Sequence, residues 1–323
     1  MIKIILRQII TISLSFLITI NVAAQLIYPK GPVKIVVPYP AGGAADITTR
    51  IFAQRLTELI GQPFIVDNKP GGGTNIAAAI VARSLPDGYT LFVDNFATHG
   101  VNKWLYKELP FDPDKDFVAV ALMVQGPMFL IVNPLLQVSS VQDLINLAKT
   151  KPGKLTYGSV GIGSPNHIVA ELFRMHTNIN VVHVPYKGSV EANRDLLAGQ
   201  IDFVFDATAM SLVRAGKLKA LAIAHTKRWP SEANIPSMAE LGFPGVSVST
   251  FFALVAPTNT PIFILDKLND AARTIAKEPE VISKLMQIGL IPSTANQKEV
   301  VDFLNEQSTK WKPILEASGA KVD

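Results

Sequence analysis

Three times along this chain an apolar, strand-like run breaks into a glycine-rich loop and restarts as a helix: Val33–Ile47, Phe64–Ala78 and Leu155–Leu172. A helix start leaves up to four backbone N–H groups without internal partners and carries roughly half a positive charge. A loop that lets a ligand approach such a start can hold a carboxylate or phosphate without Lys or Arg. Strands alternating with helices argue for parallel sheets covered by helices, and ligands of such sheets lie at the carboxyl ends of the strands, where these loops fall. The pattern therefore predicts an α/β chain that captures a small anion in a cleft between lobes.

Length and composition narrow the reading. The first residues carry Lys3 and Arg7, then an apolar run from Ile9 to Ile20, then Asn21-Val22-Ala23-Ala24, which reads as a secretory signal cleaved after Ala24. The apolar run is shorter than the roughly 20 residues that span a bilayer. Cleavage removes two of the charges that make up the formal +4, and the remaining basic residues are scattered, so nucleic acid and membrane surfaces are not expected partners. There is no cysteine, which excludes disulfides, a thiol nucleophile, a thiolate metal site and a lipidated N-terminal cysteine. A mature chain of about 300 residues exceeds what one core usually carries, so two lobes are expected.

The first strand, Val33–Val37, stops at Pro38-Tyr39-Pro40. The loop Ala41-Gly42-Gly43-Ala44 follows, then a helix with Ile47, Ile51, Leu56 and Ile60 near one face, Asp46 in its first turn and Gly61 past its end. Pro63–Val66 is a second strand, with the turn Asn68-Lys69-Pro70-Gly71-Gly72-Gly73-Thr74 and a helix over Asn75–Ser84. Tyr89–Asp94 is a third, ending in a polar loop with Asn95, Thr98 and His99. Long apolar runs at Phe117–Asn133 and Val246–Pro257 read as two crossings between the lobes. Strands are expected between them at Lys154–Tyr157, Val181–Val184 and Ile201–Phe205, and helices at Ile262–Lys277, Glu278–Ile288 and Lys298–Leu315 beyond them. The expected division is 1–24 signal peptide, 25–125 with 249–323 as lobe 1, and 126–248 as lobe 2.

Each loop has a bland reading beside the functional one. Tyr39–Asp46 can be a tight turn with Asp46 as cap, and Gly73-Thr74-Asn75 a bare glycine turn. In the third loop Ser164 is a natural N-cap and Pro165 fits the first helical position, with Ile168, Val169, Leu172 and Phe173 buried; this leaves Ser159 and the Gly161 amide free to face the cleft. His167 can pack, cap or touch ligand. Tyr186 can wall the cleft while Lys187 is solvated, and Asp206, ending a strand, can orient a donor or cap locally. The five histidines show no metal-binding spacing, Ser159 lacks a Gly-x-Ser-x-Gly elbow, and no cofactor or metal is expected.

Six phrases occur in a characteristic order: Val-Pro-Tyr-Pro-Ala-Gly-Gly-Ala-Ala-Asp (37–46), Asn-Lys-Pro-Gly-Gly-Gly-Thr-Asn-Ile (68–76), Pro-Asp-Gly-Tyr-Thr-Leu (86–91), Lys-Pro-Gly-Lys-Leu-Thr-Tyr-Gly-Ser (151–159), Val-Pro-Tyr-Lys-Gly (184–188) and Ala-Gly-Lys-Leu-Lys-Ala-Leu-Ala (215–222). Together they resemble the Bug receptors, the extracytoplasmic solute-binding proteins of tripartite tricarboxylate transporters. The resemblance implies a two-lobed, type II-like periplasmic-binding-protein fold: two parallel or mixed sheets flanked by helices, with a hinge of two crossing segments. It implies a monomeric periplasmic receptor, not an enzyme, that closes on a small carboxylate and delivers it to membrane permease subunits. Di- and tricarboxylates, acidic amino acids and aromatic acids all fit. By the same resemblance Tyr39, Ala41, Gly42, Gly43, Ala44 and Asp46, with Gly73, Thr74 and Asn75, hold one carboxylate, Thr98 lies beside them, and Ser159, Gly161, Ser164, His167, Tyr186 and Asp206 approach from lobe 2. The chain departs from the family where many relatives have Trp-x-Gly, having Phe251-Phe252-Ala253 instead, and at Val160, so the far side of the pocket is reshaped; Tyr39, Tyr186 and Phe251 suit an aromatic acid as well as an aliphatic one. The alternatives are an exported enzyme using Ser159, His167 and Asp206, and a sensing module for a membrane kinase.

Overall fold

A computed structural model of the protein describes residues 28–318. The expected export signal lies outside these residues. In chain order the elements are β1 (Val33–Val37), α1 (Ala44–Ile60), β2 (Phe64–Asn68), α2 (Asn75–Ala82), β3 (Thr90–Asn95), α3 (Asn102–Leu105), β4 (Phe117–Val132), α4 (Val141–Thr150), β5 (Thr156–Ser159), α5 (Pro165–Thr177), β6 (Val182–Pro185), α6 (Ser189–Leu197), β7 (Phe203–Phe205), α7 (Met210–Arg214), β8 (Lys219–Ala224), β9 (Ser249–Pro257), α8 (Ile262–Ile275), α9 (Pro279–Gln287), β10 (Ile291–Pro292), α10 (Gln297–Lys310) and α11 (Lys312–Ser318).

The strands run β2-β1-β3-β9-β4-β7-β5-β6, with β8 and β10 also on β4. β1 pairs in parallel with β2 and β3, and β5 pairs in parallel with β6 and β7. The antiparallel strands β9 and β4 join these two groups. The expected crossings are therefore strands of the sheet, and the two groups are continuous through β4. Residues Phe117–Pro127 of β4 pair with β9, and Met128–Val132 pair with β8. Pro127 sits where the partners change, a place that tolerates a residue with no N–H to give. Nearly all of β4 is buried, which accounts for its unbroken apolar sequence.

α1 covers the expected residues and ends in Gly61 at φ 79°, whose N–H bonds the Thr57 carbonyl. Its buried face is not the isoleucine stripe. Ala45, Thr48, Thr49, Phe52, Ala53 and Leu56 are buried while Ile47, Ile51 and Ile60 are half-exposed, because small residues let the helix lie close on the sheet. β8 and α4 fall outside the expected elements. The alanines of β8 are weak strand formers, and pairing with β4 makes the strand. The helices after β9 pack against β4, β9 and the turn that follows β3: Asn269 donates to the Val120 carbonyl at 2.8 Å, Trp311 lies 4.7 Å from Phe96 between ring centres, and Phe303 lies 5.0 Å from Phe251.

Candidate functional site

An inner chamber opens where β1, β3, β5 and β7 end, with β4 and β9 also on its wall. It is lined from one side by Tyr39, Pro40, Ala41, Gly43, Ala44 and Ala45, and from the other by Val160, Pro165, Asn166 and Gly188–Glu191, with Met128, Thr250 and Phe252 from the crossing strands. The starts of α1, α5 and α6 all reach it. Gly43 and Gly188, the N-caps of α1 and α6, have extended backbones and no side chain capping the amides beyond them. Thus two helix starts present unsatisfied N–H groups to one space. The loops they belong to also approach each other: a Cβ on Gly188 would lie 3.4 Å from Pro40, and one on Gly42 would lie 3.6 Å from Val190. Among the described residues no Lys, Arg or His lines the chamber, and Phe96, Met128, Val160, Ala207 and Phe252 make much of its wall apolar.

Asp46 and Gly42 line no chamber; they brace the loop. The Gly42 N–H donates to Asp46 at 2.9 Å, as do Asn68 at 3.0 Å and Arg50 at 2.9 Å. Burial works against the Asp46 carboxylate, but these hydrogen bonds outweigh it and hold its pKa below the usual range. Asp206 does line the inner chamber, yet it accepts the Thr208 N–H and hydroxyl, both at 2.6 Å, and Asn166 at 3.2 Å. Burial pushes its pKa up against those bonds. It ties the end of β7 to the start of α5.

The second glycine loop faces a separate, outer chamber, lined by Gly71–Thr74, Tyr106, Gly161, Ile162, Ser164, Tyr186 and Lys187. Tyr39 and Val160 line both chambers and so partition them. The polar groups of this loop bind one another: Asn102 donates to the Gly73 carbonyl at 2.8 Å and to Asn75 at 2.6 Å, and the Thr74 and Thr98 hydroxyls meet at 2.7 Å. Thr98 and Asn75 line neither chamber. The Tyr186 hydroxyl donates to Asp195 at 3.1 Å, and burial together with Asp195 pushes its pKa up to about 12.

The third loop corrects one expectation outright. Ser159 and the Gly161 amide are not free: the Gly161 N–H donates to the Ser159 hydroxyl, which in turn lies 3.1 Å from the Gly161 carbonyl and 2.6 Å from His183 Nε2. Ser164 caps α5 as expected, accepting the His167 N–H at 3.3 Å, and Ile168, Val169, Leu172 and Phe173 are buried. His167 packs: its Nδ1 accepts the Gly163 N–H at 3.3 Å, and its ring lies 4.5 Å from His183, which stacks on Tyr157. Burial, with His167 alongside, pushes His183 down to about 4. The trio of Ser159, His167 and Asp206 is not assembled, since Ser159 meets a different histidine and Asp206 serves Thr208 and Asn166. Phe251 is likewise turned into the core against Phe303, and Phe252 faces the chamber.

Sequence reasoning read a helix from Val190 after Tyr186-Lys187-Gly188 but did not name Gly188–Glu191 as lining the chamber, and it missed Met128, Asn166, Thr250 and Phe252 there. The signal for the first was present: Gly188 precedes Ser189-Val190-Glu191, an N-cap glycine with an acid in the first turn. For the strand residues the parity of β9 decides which side chains face the cleft, and an apolar run shows no parity.

A family model described as the tripartite tricarboxylate transporter family receptor, TctC, matches residues 48–320. BugT of Bordetella pertussis is 32% identical, over 95% of this chain and 96% of its own length. Among solved structures, R. palustris Rpa4515 with adipate is 34% identical, covering 92% of this chain and 100% of that one at a TM-score of 0.88. MatC from Rhodopseudomonas palustris with bound malate is 29% identical, covering 89% and 100% at a TM-score of 0.84. The fold is the two-lobed one of periplasmic solute-binding proteins, and the chain belongs to the tripartite tricarboxylate transporter receptor family.

Proposed function

We propose that this protein is a periplasmic receptor that binds a small organic carboxylate in the inner chamber and delivers it to the membrane permease of a tripartite tricarboxylate transporter. One observation carries the reading: two uncapped helix starts, on opposite sides of the cleft, meet in a chamber with apolar walls and no cationic side chain. Amides that lack partners bind a carboxylate with hydrogen bonds of about 1.5–3 kcal/mol each. Three or four of these reach micromolar affinity, roughly 8 kcal/mol, after offsetting closure and ligand ordering. The adipate and malate seen with two relatives support a carboxylate ligand.

In this reading residues 25–125 with 249–323 form one lobe and 126–248 the other, β4 and β9 form the hinge, and residues 1–24 direct export. Tyr39, Ala41, Gly43 and Ala44 hold the anion from the first lobe, and Asn166, Gly188 and Ser189 from the second. Gly73, Thr74, Gly161, Ser164 and Tyr186 form the mouth, and Gly42, Asp46, Asn75, Thr98, Ser159, His167 and Asp206 keep the loops in shape. Binding without turnover fits the way Ser159 is consumed by its neighbours. The test is a thermal-shift screen of the purified protein against mono-, di- and tricarboxylates, amino acids and aromatic acids, with each hit recovered and checked. A ligand at 100 times its dissociation constant stabilises by about 2.7 kcal/mol, a readable shift. Recovery of the ligand intact is expected, and its consumption would replace the receptor by an enzyme.

A further inference from the structure

Thr250 is buried, 7% exposed, on the crossing strand β9, and it lines the inner chamber. Its hydroxyl has no hydrogen-bond partner among the described residues, whereas the other polar side chains of the chamber are engaged. Asn95 accepts the Ala97 and Thr98 amides and donates to the Thr98 hydroxyl, Asp206 is tied to Thr208 and Asn166, and Glu191 accepts the Lys187 N–H at 3.3 Å. The Thr250 hydroxyl is not itself sealed in the interior: it opens onto the chamber and is free to bond an occupant. Thr250 lies two residues from Phe252 on the same face of β9 and opposite Gly126, two residues before Met128. Phe96, Met128 and Phe252 line the same chamber, and none of them offers a donor to a second charge. A carboxylate there would exchange its water shell for one hydroxyl, whereas a neutral oxygen needs only that one bond.

We propose that Thr250 is a specificity-determining residue that reads a neutral oxygen, a hydroxyl or carbonyl, on the body of the bound carboxylate. The inference rests on the receptor reading above and narrows its substrate class to oxygen-bearing acids. Because β9 is a crossing strand, this contact also joins the ligand to a segment shared by both halves of the sheet.

The experiment compares acids that differ by one oxygen: butyrate with 3-hydroxybutyrate, succinate with malate, and benzoate with 4-hydroxybenzoate. Each is titrated calorimetrically into the wild-type protein, Thr250→Val and Thr250→Ser, with a thermal melt of each variant to establish folding. For at least one pair the wild type should bind the oxygen-bearing acid about tenfold more tightly, the effect of one buried hydrogen bond. Thr250→Ser should keep that preference and Thr250→Val should erase it, leaving the plain acid's affinity unchanged. A wild type with no preference, or a preference that survives in Thr250→Val, overturns the inference while the carboxylate reading stands. Should Thr250→Val not fold, loss of the preference in Thr250→Ser overturns it equally. If none of the six acids binds the wild type, the inference is overturned for the acids it names, while the carboxylate reading is decided separately by the broader thermal-shift screen.

Discussion

The first and second glycine loops look alike as sequence and do opposite things. Both follow a short strand, both contain consecutive glycines, and both precede a helix. In the first, Gly43 leaves the leading amides of a 17-residue helix uncapped and facing the inner chamber. In the second, Gly71, Gly72, Gly73 and Thr74 all have positive φ, and the chain coils so that its carbonyls and side chains are held by Asn102 and Thr98. Glycine serves access in one loop and curvature in the other. The difference lies in what surrounds each loop: Asp46 ties back the first from behind, and Asn102 grips the second from in front.

The strongest way to break this comparison is to cap the first loop. Gly43→Asp puts a good N-cap where glycine stands and fills the free amides with a carboxylate of the protein's own. Affinity for whichever acid binds the wild type should fall by about 100-fold or more, through occupied donors and like-charge repulsion. Stability should stay within a few tenths of a kcal/mol, since aspartate replaces glycine at a cap with little change. Calorimetry and a denaturant melt read the two effects separately. Unchanged affinity would mean that these amides do not hold the ligand.

The second loop should respond the other way round. Asn102 is fully buried, and Asn102→Ala leaves the Gly73 carbonyl and the Asn75 side chain without their donor. A loss of about 2 kcal/mol in unfolding free energy is expected, with affinity changed by less than about threefold. A large loss of affinity with normal stability would place the second loop among the ligand contacts.

The third loop ties the comparison to pH. His183 lies half-buried behind it with its pKa near 4, against about 6.5 in an unfolded chain. As pH falls below 6.5 the unfolded state takes up a proton that the folded state refuses until pH 4, so stability drops across that window. His167 is shifted down as well and adds to the same slope, burial outweighing Glu171. His99 acts in the opposite sense. Burial opposes its charge, but Asp94 at 2.8 Å wins and raises its pKa, so its contribution is present below 6.5 and fades as pH rises through the folded value. The melting temperature should therefore decline between pH 6.5 and 4, and His183→Gln, which keeps a donor for Ser159, should flatten the decline. A slope unchanged in His183→Gln would assign the effect elsewhere.

Sequence made the strand–loop–helix units, the crossings and the capped start of α5 legible, because each rests on local chemistry: turn residues, an N-cap serine before Pro165, and apolar runs long enough to be buried on both faces. It did not reveal which loop amides are spent. Ser159 reads as a free hydroxyl until β6 is laid beside β5 and brings in His183, 24 residues away. Phe251 and Phe252 are indistinguishable until pairing with β4 fixes which one faces the cleft. Gly188 carries its signal openly, but its importance depends on where α6 starts relative to α1, a fact of topology.

The finest test concerns the outer chamber itself. Lys187 is the cation among its lining residues, and it lies on the far side of Tyr39 and Val160 from the inner chamber. If the outer chamber is a passage and the inner one the site, a charge there acts on encounter, through a field that salt screens within roughly 8 Å at physiological ionic strength. Lys187→Ala should then slow association at low salt by a few-fold, leave dissociation unchanged, and alter affinity by less than about twofold at physiological salt. Stopped-flow measurements at two ionic strengths separate these terms. A faster dissociation that persists at high salt would make Lys187 a direct ligand contact, and the two chambers would then be parts of one site, with Tyr39 and Val160 lying along the ligand.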